Sequence, residues 1–157
     1  MTFIKLGGFL MDSIDAKIVN ILQQDGRISM NRLAAEIPMS VPAACARVHK
    51  LEDSGVIRSY SAKISFHAVG RTINAYVLLA CNIGEIDKVR TIIEDDRRVA
   101  FACFLAGKFT MMLRLACRDM EDYMDFVKKI MPLGTSETYI MLEHIKEDYC
   151  ELDEADI

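Results

Sequence analysis

No stretch of the chain approaches the roughly 18–20 consecutive apolar residues that cross a bilayer as a helix, so no membrane association is expected. The five cysteines (Cys45, Cys81, Cys103, Cys117 and Cys150) form no CxxC and have no histidine at metal-ligand spacing. Most lie in apolar runs. An odd count without a signal peptide points to reduced thiols packed as small hydrophobes in the cytoplasm, with no metal or other cofactor. A histidine pair, a carboxylate dyad, a nucleophile elbow and a glycine-rich phosphate loop are all missing, which removes the usual equipment of an enzyme. Strong positive charge is missing too: the net charge is −4, not the overall signature of a nucleic-acid binder. The two parts of the chain differ, however. Residues 1–63 carry eight Lys/Arg against six Asp/Glu, whereas residues 64–157 carry eleven against seventeen. The first part can approach DNA; the second should stay away from it.

What is present concentrates in residues 29–63. Ser29 is a good N-cap, and Leu33, Ala34 and Ile37 follow at helical spacing. Pro38 ends that helix, and Ser40 can cap the next, with Pro42 tolerated in its first turn. Met39 falls in the turn, where an apolar plug between crossed helices is expected. Two short helices so joined form a helix-turn-helix, which lays its second helix in the DNA major groove. At roughly 100° per residue, Val41, Ala44, Val48 and Leu51 face the core. Pro42, Ala43, Ala46, His49, Lys50 and Asp53 lie opposite, with Arg47 on the flank. Ala43 and Ala46 let the backbone approach bases, and Arg47 and Lys50 can reach phosphates or guanine edges. Gly55 suits the position after a C-cap. Residues 56–64 then alternate like a strand, so Arg58 and Lys63 become candidate backbone contacts of a wing. Ahead of all this, residues 12–25 read as a bracing helix capped by Asp12, with Asp15 in its first turn and Ile14, Ile18, Ile21 and Leu22 as its apolar stripe. A helix pair packed in an ordinary core would show much of the same pattern.

The run Met11-Asp12-Ser13-Ile14-Asp15, then Ile21 through Arg27, Leu33-Ala34, Ser40, Arg47-Val48, Leu51-Glu52, Gly55-Val56-Ile57 and Tyr60-Ser61-Ala62 resembles the Lrp/AsnC family, the feast/famine transcriptional regulators of bacteria and archaea. The resemblance covers nearly the whole chain from Met11. Residues 1–10 stand outside it, either as an added arm or because Met11 is the true start. The resemblance implies an α+β protein: a winged helix-turn-helix over 11–64, a linker over 65–71, and a ferredoxin-like βαββαβ domain over 72–146 that dimerises through its sheet. An acidic tail over 147–157 follows, expected to be solvated.

The residues support that division. Strands are expected over 72–83, 99–106, 109–117 and 137–146, and helices over 85–95 and 120–131. Ile86, Val89, Ile92 and Ile93 point inward from the first helix; Tyr123, Met124 and Val127 do so from the second. In the first strand Ile73, Ala75, Val77, Leu79 and Cys81 share one face. The other face carries Asn74, Tyr76, Leu78 and Ala80, more apolar than a solvated face should be. Helices can cover only one side, and a second copy of the sheet is the simplest cover for the other. The resemblance likewise implies dimers paired sheet to sheet, with two reading helices on double-stranded DNA; in the family such dimers often, but not always, assemble into octameric rings.

The resemblance further implies an effector site between dimers, usually for an amino acid, near the turn of the central strands. There the family commonly has Gly-Asp-aromatic-Asp, and this chain has Gly107, Lys108, Phe109 and Thr110. Both acids are absent. Lys108 would repel an α-ammonium and favour a carboxylate, so an organic acid such as a 2-oxo acid, or no effector at all, fits better than a plain amino acid. Thr135, Ser136 and Glu137 are expected to face the same cleft. The reading helix departs as well, with Ala46-Arg47 and His49 where the family often has more basic residues. An oligomeric ligand-binding module with weakened DNA binding therefore stays open. An enzyme like the sirohaem decarboxylases that share this fold does not fit, since residues 28–30 and 102–104 lack their motifs.

Overall fold

The computed structural model describes residues 11–146 and 150–152. They divide into two compact units, one formed by the residues up to Lys63 together with those from Lys146 onward, the other by Ile64–Ile145. The expected arm over residues 1–10 and most of the acidic tail lie outside the described residues.

The first unit contains α1 (Ser13–Gln24), α2 (Met30–Glu36) and α3 (Val41–Asp53). Asp12 caps α1 by accepting from Ile14 N and Asp15 N, while Asp15 Oδ2 accepts from Asp12 N, a reciprocal capping box. Ser29 and Ser40 cap the other two helices by accepting from Arg32 N and Ala43 N. The apolar stripes meet in one core: Ile18 and Leu22 from α1, Leu33 and Ala34 from α2, and Ala44, Val48 and Leu51 from α3, with Met39 packed against them from the turn. Gly55, at φ 76°, takes the left-handed conformation that ends α3, a conformation costly for any side chain. No strand forms over 56–64. A ladder needs a partner's N–H and C=O groups, and the segment finds none among the described residues. It leaves α3 through Ile57 N to Leu51 O and is tied back where the Tyr60 hydroxyl donates to Glu52. Arg58 and Lys63 are thus exposed on irregular chain rather than on a β-ribbon.

The described end of the chain also belongs to this unit. The Asn20 carboxamide donates to Leu152 O and accepts from Leu152 N, both at 2.9 Å. Gln23 pairs with the backbone of Cys150 in the same two-way manner. Two carboxamides one helical turn apart thus serve as a short strand edge for alternate residues of the tail, so this part of it is bonded to α1 rather than solvated.

The second unit runs β1 (Ile73–Cys81), α4 (Ile86–Asp95), β2 (Val99–Phe104), β3 (Met111–Cys117), α5 (Met120–Ile130) and β4 (Gly134–Ile140). Its strands form one antiparallel sheet in the order β2-β3-β1-β4, the ferredoxin-like arrangement with helices on one face. Ala75, Val77 and Leu79 of β1 and Leu113 and Leu115 of β3 are completely buried on that face. From α5 the stripe is Tyr123, Phe126, Val127 and Ile130; Met124, expected inside, is 40% exposed because it sits a third of a turn away. β4 begins three residues earlier than expected and stops at Ile140, its ladder with β1 running from Cys81–Gly134 to Ala75–Ile140. A Cβ on Gly134 would collide with the backbone carbonyl of Ala80, so the approach of β4 to β1 requires glycine there. One network has no local signal in the sequence: Arg98 holds Asp96 through two nitrogens at 2.6 and 2.7 Å, donates to Asp122 O, and lies over the Phe126 ring.

Candidate nucleic-acid interface and effector cleft

The outward row of α3 is Pro42, Ala43, Ala46, His49 and Lys50, all exposed, and Ser40 at its head performs the cap. Small residues in the first two turns leave the helix backbone open to close approach. A helix presented N-terminus first, with its small residues outward, can enter a major groove. Two of the expected contact residues are engaged within the unit. Arg47 Nη1 lies 2.7 Å from Asp12 Oδ2 and 2.7 Å from Asp15 Oδ1. Asp15 is 2% exposed, a buried acid in need of a cation. Asp12 is held below the usual carboxylate range, first by the hydrogen bond from the Asp15 backbone and then by Arg47. His49 Nδ1 stands 3.1 Å from Glu52 Oε2, and the Tyr60 hydroxyl donates to the other Glu52 oxygen at 2.9 Å. Burial, then the neighbouring Glu52 carboxylate, pushes the Tyr60 hydroxyl up to about 12. These side chains rim a groove of about 300 Å³ floored by Leu22, Ile28 and Val48.

In the second unit, the turn between β2 and β3 meets β4. Lys108 Nζ sits 2.7 Å from Glu137 Oε1 and 4.7 Å from the Phe109 ring centre. The Tyr139 hydroxyl donates to Glu137 Oε2 at 2.7 Å. The Glu137 carboxyl is lowered by Lys108 first and Tyr139 second, and the Lys108 ammonium is raised by Glu137. Lys108, Phe109 and Glu137 are therefore brought together, with Gly107 in the turn beside them. Thr110 does structural work: its hydroxyl donates to Leu79 O and accepts from Cys81 N, each at 2.9 Å, locking the turn to β1. Ser136 pairs in register with Leu79 on the helix-covered face, whereas Thr135 and Glu137 pair with Ala80 and Leu78 on the open one. The open face carries Asn74, Tyr76 and Leu78 of β1, each only half-buried.

Tyr139 and the two acids that hold Arg47 were not singled out as site residues from the sequence. Asp12 and Asp15 could be read as a cap, but nothing local ties them to a residue more than thirty positions away. Among the described residues no helix is long and apolar enough to cross a membrane, and no group of His, Cys, Asp and Glu could hold a metal ion.

A three-helix module whose capped third helix shows small residues outward, followed by a ferredoxin-like sheet, defines a DNA-binding helix-turn-helix protein with an appended second domain. A profile of the AsnC-type helix-turn-helix domain matches residues 11–52, and one of the Lrp/AsnC ligand binding domain matches residues 74–150. The chain belongs to the Lrp/AsnC family of transcriptional regulators. An uncharacterized HTH-type transcriptional regulator of Pyrococcus horikoshii is 30% identical over 142 residues, covering 88% of this chain and 96% of the relative. The HTH-type transcriptional regulator AldR of Mycobacterium tuberculosis is 30% identical over 143 residues, 87% of this chain and 80% of the relative. The structure of LrpC from Bacillus subtilis superposes with a TM-score of 0.83 at 25% identity, covering 88% of this chain and 99% of that one. A Neisseria meningitidis regulator solved as a complex with L-Met superposes equally well, at 0.83 and 22% identity over 92% of this chain and 97% of that one, a likeness of fold.

Proposed function

We propose that this regulator reads double-stranded DNA in the cytoplasm with the outward row of α3, without enzymatic activity, and that it does so as a homodimer. The observation that carries the reading is that row itself: Pro42, Ala43, Ala46, His49 and Lys50 are exposed while Ala44, Val48 and Leu51 are buried. Arg58 and Lys63 follow as phosphate contacts. Dimerisation through the open sheet face is supported by Tyr76 and Leu78, apolar residues on the side that α4 and α5 do not cover. Association of dimers into an octamer would place the Lys108–Glu137 cleft between them. That cleft holds both signs of charge, so it suits an amino acid, with its carboxylate on Lys108 and its ammonium on Glu137; a simple organic acid would use Lys108 alone.

Fluorescence anisotropy with the DNA upstream of its own gene, against a scrambled duplex at two salt concentrations, tests the reading. Preference for the upstream DNA that weakens as salt rises is expected. Equal, weak binding to both duplexes, unrelieved by amino acids or organic acids, would favour a second reading, an oligomeric ligand-binding module with weakened DNA binding. Its support is that Arg47 and His49 both face carboxylates of their own unit.

A further inference from the structure

We infer that Arg47 serves DNA binding as a positioning residue, clamping the reading helix α3 to the first turn of α1, and that it does not itself contact the phosphate backbone. The inference rests on α3 being the DNA-reading element. Arg47 has the position a DNA contact would have, on the flank of α3 between exposed Ala46 and buried Val48. Its charge is committed elsewhere. One nitrogen, Nη1, donates to Asp12 Oδ1 at 2.9 Å, to Asp12 Oδ2 at 2.7 Å and to Asp15 Oδ1 at 2.7 Å, and the side chain is only 30% exposed.

The acids cannot turn away to release it. Asp12 Oδ1 also accepts two backbone N–H groups of the α1 cap, and Asp15 Oδ2 accepts the N–H of Asp12, so both carboxylates are fixed by the box that starts the helix. Asp15 is almost completely buried. Swinging Arg47 out to a phosphate would leave that carboxylate buried with no cation, a cost larger than one exposed phosphate contact returns. Arg47 instead joins the middle of α3 to the N-terminal turn of α1, and so helps set the angle at which Ala43, Ala46 and Lys50 meet a duplex.

The two roles predict opposite signs. If Arg47 touched DNA, Asp12→Asn or Asp15→Asn would free it and remove a repelling negative charge, so binding would tighten. If it positions α3, the same substitutions weaken binding, and Arg47→Met does so without altering the salt dependence. The experiment is anisotropy titration of the full-length wild type, Asp12→Asn, Asp15→Asn and Arg47→Met on the upstream duplex across a range of salt, with thermal melting of each protein. Asp12→Asn is the variant that keeps the fold, because Asn caps a helix as well as Asp does. The expected result is a several-fold loss of affinity in all three variants, with the slope of log K against log salt unchanged. A slope smaller by about 0.9 in Arg47→Met, the loss of one released counterion, or tighter binding by Asp12→Asn, overturns the inference while leaving the regulator reading intact. If the wild type binds no duplex, the regulator reading itself fails and the inference falls with it.

Discussion

Placing a single methyl group on Gly134 should damage the second unit, which carries the ferredoxin-like sheet, and leave the helix-turn-helix unit alone. In the Gly134→Ala variant the new Cβ would meet the carbonyl oxygen of Ala80 well inside contact distance, the Cys81 Cα at 2.9 Å and the Ala80 carbonyl carbon at 3.0 Å. All three atoms are backbone of β1, the strand paired on both sides, so no side chain can rotate to make room. Backbone conformation adds nothing to the cost, because φ at Gly134 is 169°, an extended value open to any residue. The penalty is therefore steric, and relief requires the first pairs of the β1–β4 ladder to separate. Overpacking of this kind costs about 1–3 kcal/mol, which for a domain of this size lowers Tm by roughly 5–20 °C. Melting followed by circular dichroism should show that drop. Because β4 also carries Glu137, the variant should lose the proposed effector response while its effector-free DNA affinity stays within about twofold. A Gly134→Ala protein that melts within about 2 °C of wild type would show that β4 does not approach β1 this closely, and would refute the reasoning.

Leu78→Lys puts a charge at the centre of the open sheet face and should convert the proposed dimer to a monomer in sedimentation velocity; a dimer of unchanged affinity would remove that face from the interface. The Asp96 carboxyl is held well below its ordinary value of 3.8, chiefly by Arg98 despite burial, so its contribution to stability is full above that pH and is lost as pH falls below it. Urea midpoints at pH 7 and pH 3 should therefore differ by more in the wild type than in Asp96→Asn, and equal differences would contradict the assignment. Asn20→Ala combined with Gln23→Ala removes four hydrogen bonds to residues 150 and 152 and should speed proteolytic trimming of the C-terminal tail at least several-fold, whereas an unchanged rate would mean the pairing is not maintained in solution.

Much of this protein followed from local rules. The capped helix starts at Asp12, Ser29 and Ser40 were legible because a cap side chain reaches N–H groups only two or three residues ahead. The two faces of α3 were legible because helical period alone separates Ala44, Val48 and Leu51 from Ala43, Ala46 and Lys50. The strand and helix order of the second unit, and the uncovered face of its first strand, came from the same kind of counting. The remainder depended on residues distant in sequence. Nothing near residues 56–64 reveals that their alternation would find no ladder partner. Gly134 begins β4 because of how closely it approaches Ala80, and Phe126 rather than Met124 fills the core because the sheet lies to one side of α5. Glu137 was expected near Lys108, but its ion pair with Lys108 and its hydrogen bond from Tyr139 depend on how β4 is placed against the β2–β3 turn. Arg47 reads as a DNA contact in the chain, and in the fold its guanidinium lies against Asp12 and Asp15. Its role depends on which charge lies within reach, and spacing along one helix cannot supply that distance.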